Sequence, residues 1–501
     1  MVKILMVTSE VESFAKTGGL ADVVPALSKS LVKLGHEVKI VMPRYYSINR
    51  DNLKKLDGPL GVPMGGVEEW CAVYTAKIPD TPKDKPVEIY FIDYENYFGR
   101  AGFYFDSDKK DYPDNPRRFS FFCRAVFQLC RKIGWYPDIL HAHDWQGAMV
   151  PVYLKFAERV SGSRGGFEKT ASVLTIHNLD YQGIYSKDNF PYMGLGWDVF
   201  YNAGFEDWNM LNMLKAGLYS TDKLNTVSPG YAKETQTQAL GSKLDGVLRY
   251  RSADYCGILN GIDTDIWNPS KDISILEQYR YSAKDMAGKA EAKEALQREF
   301  GFPVNADVPV IGMVQRLYGQ KGIGELFGPT YGSAYSMCKD MNIQMVVLGS
   351  GEEWCEKEIK NLAARKELDK KFKAVIGFSE KLSHLIEAGS DFFLMPSRYE
   401  PCGLNQMYSQ VYGTLPIVRN TGGLADTVEN YNQDTGSGTG FTFDDLTPTA
   451  IYDTVKWAVD TWYQRRDHIN AMRKRAMGLG YSWEKSAGEY VELYESAREK
   501  V

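Results

Sequence analysis

Lys16-Thr17-Gly18-Gly19-Leu20-Ala21-Asp22-Val23-Val24 has an echo far downstream: Thr421-Gly422-Gly423-Leu424-Ala425-Asp426-Thr427-Val428 repeats Thr17 to Val24 with one change, Val23 to Thr427. Each copy follows an apolar, strand-like run, Lys3 to Val7 before the first and Leu415 to Val418 before the second. Each precedes a helix-like pattern. A strand, a glycine pair and a helix start present free backbone N–H groups to an anion. Lacking Cβ atoms, the glycines let a phosphate or a sugar approach the main chain. A single copy is an ordinary glycine turn as readily as a site. Two copies at opposite ends of one chain predict two similar α/β domains, each offering a loop to a shared cleft.

A chain of 501 residues exceeds one hydrophobic core, so two or three domains are expected. Hydrophobic residues at 44% and charged residues at 25% are ordinary globular usage. The formal net charge of -5 gives no reason to expect nucleic acid or an anionic membrane as partner. The 7 cysteines are scattered, odd in number and free of CxxC, which predicts reduced thiols in a cytoplasmic protein. No signal peptide, transit peptide or membrane span is read. Aromatics make up 13%, and exposed aromatic faces suit carbohydrate rings.

Apolar runs alternate with helical segments along the chain. The strand Pro137–Trp145 ends in the polar tip His141-Ala142-His143-Asp144, and Ser172–Asn178 repeats that design with His177. Lys223–Ser228 and Tyr255–Gly261 do so again, the latter ending at Asn260. Ligands of open α/β sheets bind at the carboxyl ends of strands, so these tips predict one site. Residues 103–115 read as a polar, exposed loop, and 116–132 as a helix started by Pro116. A second strand series runs from Val308–Val314 through 343–348, 373–376 and 391–395 to 415–418. The pattern predicts a domain over 1–264, a second over 265–480, and a final helix over 481–501 that packs back on the first domain. A hinge is expected between Gly261 and Pro269.

Several residues stand where chemistry is possible. Arg316 and Lys321 are cations five apart on a loop after a strand, able to clamp a diphosphate. In Glu400-Pro401-Cys402-Gly403-Leu404-Asn405, a carboxylate precedes a helix start near Cys402 or Gly403 whose amides suit an anion. His141 and His143 are expected to hydrogen-bond neighbouring backbone. The alternative, a metal-dependent hydrolase on His141, His143 and His177, lacks an acidic partner cluster, so no metal is expected. His177 and Asp144 are the better candidates for direct substrate contact.

Taken in order, these motifs resemble the bacterial glycogen synthase and plant starch synthase family, retaining glucosyltransferases of the two-Rossmann GT-B architecture. The resemblance covers nearly the whole chain. It rests on Lys16 to Leu20, His141 to Gln146, Thr175 to Asn178 with Tyr181-Gln-Gly183, Thr226 to Pro229, Asn260 to Asp263, Arg316 with Gln320-Lys-Gly322, Glu400 to Leu404 and Thr421 to Leu424.

The resemblance implies doubly wound parallel sheets facing across a cleft, and transfer of glucose from ADP-glucose to the non-reducing end of an α-1,4-glucan with retention. UDP-glucose is the alternative donor. No cofactor is implied.

By the same resemblance, Arg316 and Lys321 neutralise the leaving diphosphate, and the amides at Gly18, Leu404 and Asn405 bind phosphates. Lys16 and Gly19 lie beside the donor, as do Cys402, Gly403, Thr421, Gly422 and Gly423. Glu400 holds glucose hydroxyls, and His177 contacts the sugar, with Asp144 and Asn260 nearby. No carboxylate is clearly placed as a nucleophile on the opposite face, which favours front-face attack within an ion pair.

The chain departs from the pattern at Tyr408, where many retaining relatives carry a second glutamate, and at Asn405 and Gly147-Ala148. A third reading, a glucan-binding protein without activity, runs against the intact Lys16, Arg316, Lys321 and Glu400.

Overall fold

The computed structural model describes residues 1–160, 162–330 and 332–501. The chain forms two compact units, one of Met1–Gly261 with Trp483–Val501, the other of Ile262–Ser482.

In the first unit the parallel strands lie in the order Tyr255–Gly257, Lys223–Thr226, Ala171–Ile176, Ile139–His143, Lys3–Val7, Glu37–Pro43 and Glu88–Asp93. Val67–Lys77 extends the sheet antiparallel to the last of these. Ile139–His143 and Ala171–Ile176 are buried at every position, as expected of strands covered on both faces. Each buried Ile, Val or Leu contributes about 1.5–3 kcal/mol. Lys3–Val7 has Glu37–Pro43 on one side and Ile139–His143 on the other. The chain order reverses there, so the crevice between the tips of Lys3–Val7 and Ile139–His143 is the ligand position of such a sheet.

The second unit is a parallel sheet in the order Phe372–Ile376, Gln344–Gly349, Val310–Val314, Phe392–Met395, Leu415–Arg419 and Phe441–Phe443. Its order reverses between Val310–Val314 and Phe392–Met395. The loops that carry Arg316 and Glu400 leave from those two strands. The core on one face joins Ile311, Met345, Phe392, Ile417 and Trp462.

Of three sequence expectations, two change and one holds. The loop 103–115 is not simply exposed. Tyr104 and Asn115 are buried, because the Tyr104 ring packs on Phe119 and its hydroxyl donates to the Glu10 carboxylate at 2.7 Å. The helix expected over 116–132 runs Asn115–Ile133 and stops at Gly134 with φ 61°. The helix expected near Cys402 or Gly403 begins at Asn405, after Gly403 turns the chain at φ 70°.

The final helix, Trp483–Arg498, buries Trp483, Ala487, Tyr490, Tyr494 and Ala497 at helical spacing. It packs on the helix Leu20–Lys33 and on the strand Ala171–Ile176. Gly261 is required here: a Cβ would stand 2.7 Å from the Trp483 backbone nitrogen.

Within the second unit, Trp267 is stacked between His384 and Tyr408, with centroid separations of 4.0 and 3.8 Å. This explains Tyr408, which clamps the segment entering the unit. Nearby, the buried Lys289 ammonium donates to the Ala388 and Tyr412 carbonyls and to the Thr414 hydroxyl. Buried Glu387 accepts from the Ser409 hydroxyl at 2.7 Å. Burial drives Lys289 well below its ordinary value and pushes Glu387 up to about 8.

Candidate active site

The first unit assembles its polar tips at the switch point. After Lys3–Val7 the chain turns through Thr8 to Gly19 and enters the helix Leu20–Lys33. Glu10 organises that turn. Its carboxylate accepts from the Thr17 amide at 2.5 Å, the Thr17 hydroxyl at 2.6 Å and the Gly18 amide at 3.3 Å. The sequence reading did not single out Glu10, because nothing local marks an acid eight residues before a glycine pair. Lys16, expected beside the donor, pairs with Asp22 at 2.6 Å and with Glu12 at 3.6 Å.

The two glycine pairs are used differently. A Cβ on Gly18 or Gly19 would meet nothing within 4 Å. A Cβ on Gly423 would stand 2.0 Å from the Cys402 carbonyl, and the Gly423 amide donates to the Glu400 carbonyl at 3.0 Å. Gly422 adopts φ 47°. The first pair borders open space, while the second packs against the turn that carries Glu400.

At the tip of Ile139–His143, Asp144 sits at φ 52°, a left-handed conformation uncommon outside glycine. Its carboxylate accepts from the His177 amide at 2.7 Å. Burial raises this carboxyl to about 7, against the pull of the His177 and Asn178 amides. Asp144 therefore fixes the loop that presents His177. The His177 Nε2 lies 3.1 Å from the His143 Nδ1. Burial holds both rings below the usual histidine range, so both are neutral near pH 7.

Both ring nitrogens of His141 are engaged, by Tyr494 at 2.8 Å and Thr175 at 2.6 Å. The expected backbone partners of His141 and His143 are side chains instead. The hydroxyls also leave His141 no nitrogen for a metal, and no group of three or more His, Cys, Asp or Glu among the described residues is arranged to hold one. Asn260 is buried, and its Oδ1 has no partner. A buried orphan acceptor points to a missing donor such as a ligand hydroxyl.

The second unit presents its groups on the two loops that flank its own switch point. Arg316 follows Val310–Val314, is exposed, and lies 5.6 Å from the Tyr318 ring. Lys321 pairs with the Glu400 Oε2, and the two side chains are 13% and 8% exposed. Ser397 donates to the same oxygen at 2.9 Å, which leaves Oε1 as the remaining acceptor. Gln320 donates to the Tyr399 carbonyl at 3.1 Å, and the Arg398 amide to the Gln320 carbonyl at 2.8 Å. Gly322 at φ 71° allows this approach, because a Cβ would stand 2.0 Å from the Pro396 carbonyl. Asn405 opens the helix Asn405–Val411 and ties its side chain to the Val314 carbonyl. Cys402 is buried and Leu404 is half-buried beside this helix start.

Sequence reasoning also missed an aromatic group at the carboxyl end of this sheet. Phe378 follows Phe372–Ile376 and Gly377, and is 89% exposed. Trp354 lies over Gly319 and Gly324, and with Tyr318 it is partly exposed. The signal available was an aromatic two residues beyond a strand, after a glycine.

The starch synthase catalytic domain family matches residues 3–250, and the glycosyl transferases group 1 family matches residues 297–475. A glycogen synthase of Treponema denticola is 55% identical over 499 residues, 100% of this chain and 99% of that protein. Glycogen synthase 1 of Geobacter sulfurreducens is 47% identical over 98% of this chain and 96% of its own. Among solved structures, the catalytic domain of starch synthase IV from Arabidopsis thaliana, bound to ADP and acarbose, superimposes with a TM-score of 0.87. It is 30% identical and covers 99% of both chains.

Proposed function

Because the chain belongs to the glycogen and starch synthase family, we propose that it is a retaining glucan synthase. It transfers glucose from ADP-glucose to the non-reducing end of an α-1,4-glucan. The observation that carries this reading is the placement of Arg316, Lys321 and Glu400 on the two loops at one switch point.

The chemistry follows from charge. As the glycosidic bond to the diphosphate breaks, negative charge grows on the leaving oxygens and positive charge on the sugar. Arg316 and Lys321 supply cations for the diphosphate. Glu400, neutralised in part by Lys321 and Ser397, offers Oε1 to sugar hydroxyls. Its contacts support a positioning role over a nucleophilic one. Neutral His177 hydrogen-bonds a sugar hydroxyl without adding charge, and the Asn260 Oδ1 accepts another. The first loop, with Lys16, Gly18 and Gly19, keeps backbone space for the donor. Cys402, Gly403, Leu404, Asn405 and Thr421 to Gly423 shape the second. The acceptor hydroxyl attacks the face the diphosphate leaves and passes its proton to the departing diphosphate oxygen, which retains configuration.

Phe378, which like Trp354 and Tyr318 lies beyond the carboxyl end of a strand of this sheet, is a platform for the nucleobase, because a ring 89% exposed has no packing role there. No helix among the described residues is long and apolar enough to cross a membrane. The scattered free cysteines support a reading in which the protein acts in the cytoplasm. Incubation with radiolabelled ADP-glucose or UDP-glucose and glycogen tests the reaction. Label should enter polymer from ADP-glucose in preference; absence of label from both donors overturns the reading.

A further inference from the structure

A closed polar path runs through the interior of the first unit, beneath the His143–His177 pair. Tyr494 Oη is 2.8 Å from the His141 Nδ1. The His141 Nε2 is 2.6 Å from the Thr175 Oγ1. The Thr175 hydroxyl donates to the Asn225 Oδ1 at 2.6 Å, and the Asn225 Nδ2 donates to the Tyr490 Oη at 3.0 Å. The five residues are buried, and they link the strands Ile139–His143, Ala171–Ile176 and Lys223–Thr226. Both ends lie on the final helix, one turn apart, on a single face.

The protons can be assigned. Thr175 has one hydroxyl hydrogen, and it goes to Asn225, whose Oδ1 can only accept. Thr175 must therefore accept from an N–H at the His141 Nε2. Burial pushes His141 down to about 3, so the ring is neutral and carries a single proton. The His141 Nδ1 is then bare and accepts from the Tyr494 hydroxyl. The path runs one way, from Tyr494 to Tyr490, and fixes one tautomer.

The path touches the site directly above it. The His141 and His143 rings lie 4.3 Å apart, and His143 contacts His177 through its Nδ1. Thr175 is the cross-strand partner of His143 and stands two residues before His177. The hydroxyls from the final helix therefore set the orientation of His141, the ring on which His143 rests.

We propose that Tyr494 and Tyr490 are positioning residues for the His143–His177 pair, delivered by the last helix of the chain. This rests on the reading of His177 as a sugar contact. Removing Tyr494's hydroxyl leaves a bare buried nitrogen, frees the His141 ring to take the other tautomer, and lets His143 and His177 shift. A displacement of this kind costs turnover far more than substrate affinity.

The test uses the full chain labelled with 15N-histidine. The unmodified protein should show His141 as the Nε2–H tautomer with a bare Nδ1. Tyr494→Phe should move the His143 and His177 signals and lower kcat about tenfold or more, with KM for ADP-glucose within about twofold. Thr175→Ser, which keeps the hydroxyl, should retain kcat, and Thr175→Val should lose it. An Nδ1–H tautomer at His141 in the unmodified protein overturns the proposal, whether or not any variant folds. So does folded Tyr494→Phe with full kcat and unmoved histidine signals. Because the tautomer is read without turnover, an inactive unmodified protein counts against the transferase reading alone.

Discussion

Lys321 and Glu400, 79 positions apart in the chain, form an ion pair between the loops that follow two adjacent parallel strands. The pair is nearly buried, so each partner covers the other's cost of leaving water. It is therefore both part of the fold and part of the proposed chemistry, and the two contributions can be separated.

Lys321→Ala leaves the Glu400 carboxylate without a cation and should destabilise the protein by about 3–5 kcal/mol. The double variant Lys321→Met with Glu400→Gln should recover most of that stability and none of the activity. Denaturant melts of the single and double variants, run beside kcat, make the measurement. Recovery of both together would show that the pair acts only through the fold.

The two glycine pairs should respond oppositely to one methyl group. Gly423→Ala drives a Cβ toward the Cys402 carbonyl and should cost about 1–3 kcal/mol of stability. Gly18→Ala meets no atom and should leave stability unchanged while raising KM for the nucleotide sugar. Thermal melts and donor titrations of both variants decide the matter. An unstable Gly18→Ala with normal KM would reverse the assignment.

Phe378→Ala should raise KM for ADP-glucose about tenfold or more, since stacking on a base is worth about 1–3 kcal/mol. Its melting curve should be unchanged, because the ring lies in solvent. Phe378→Tyr should behave as the parent. An unaltered KM in Phe378→Ala removes the nucleobase role.

Glu387 should impose a pH slope on stability. Its folded value of about 8 lies above the ordinary carboxyl value, so the folded chain keeps a proton that the unfolded chain releases. This contribution is complete below about pH 4.5, falls as pH rises, and is lost above about 8. Glu387→Gln removes the titration. The variant should gain on the parent by up to about 1.4 kcal/mol per pH unit across that window. Urea melts from pH 5 to 9 test it, and parallel curves would mean that Glu387 is ionised throughout.

What could be read from the chain was whatever local pattern encodes. Ile139–His143 and Ala171–Ile176 are apolar runs that end in polar tips, so both the strands and their direction were legible, and with them His177 and Asp144. Arg316, Lys321 and Glu400 were legible because each stands just past a strand. What stayed hidden depended on partners distant in sequence. Glu10 gains its role only when the turn folds back to Thr17, and Tyr104 is buried by packing on Phe119 and donating to Glu10, neither of them its neighbour in sequence. Tyr490 and Tyr494 stand at helical spacing in the chain, and that spacing reports a buried face and not the hydroxyls on it. Phe378 resembled any loop aromatic until the sheet placed it at a strand end.

The last helix has a consequence for how the chain is made. Residues 483–501 emerge after the whole of the second unit, yet they fill the interior of the first. Until those residues are made, His141 lacks its Tyr494 partner and Asn225 its Tyr490 partner. The second unit, contiguous from Ile262 to Ser482, has all its strands before those partners arrive. The half of the protein made first is thus the half completed last, and a chain released a few turns early carries a finished second unit beside an unfinished first.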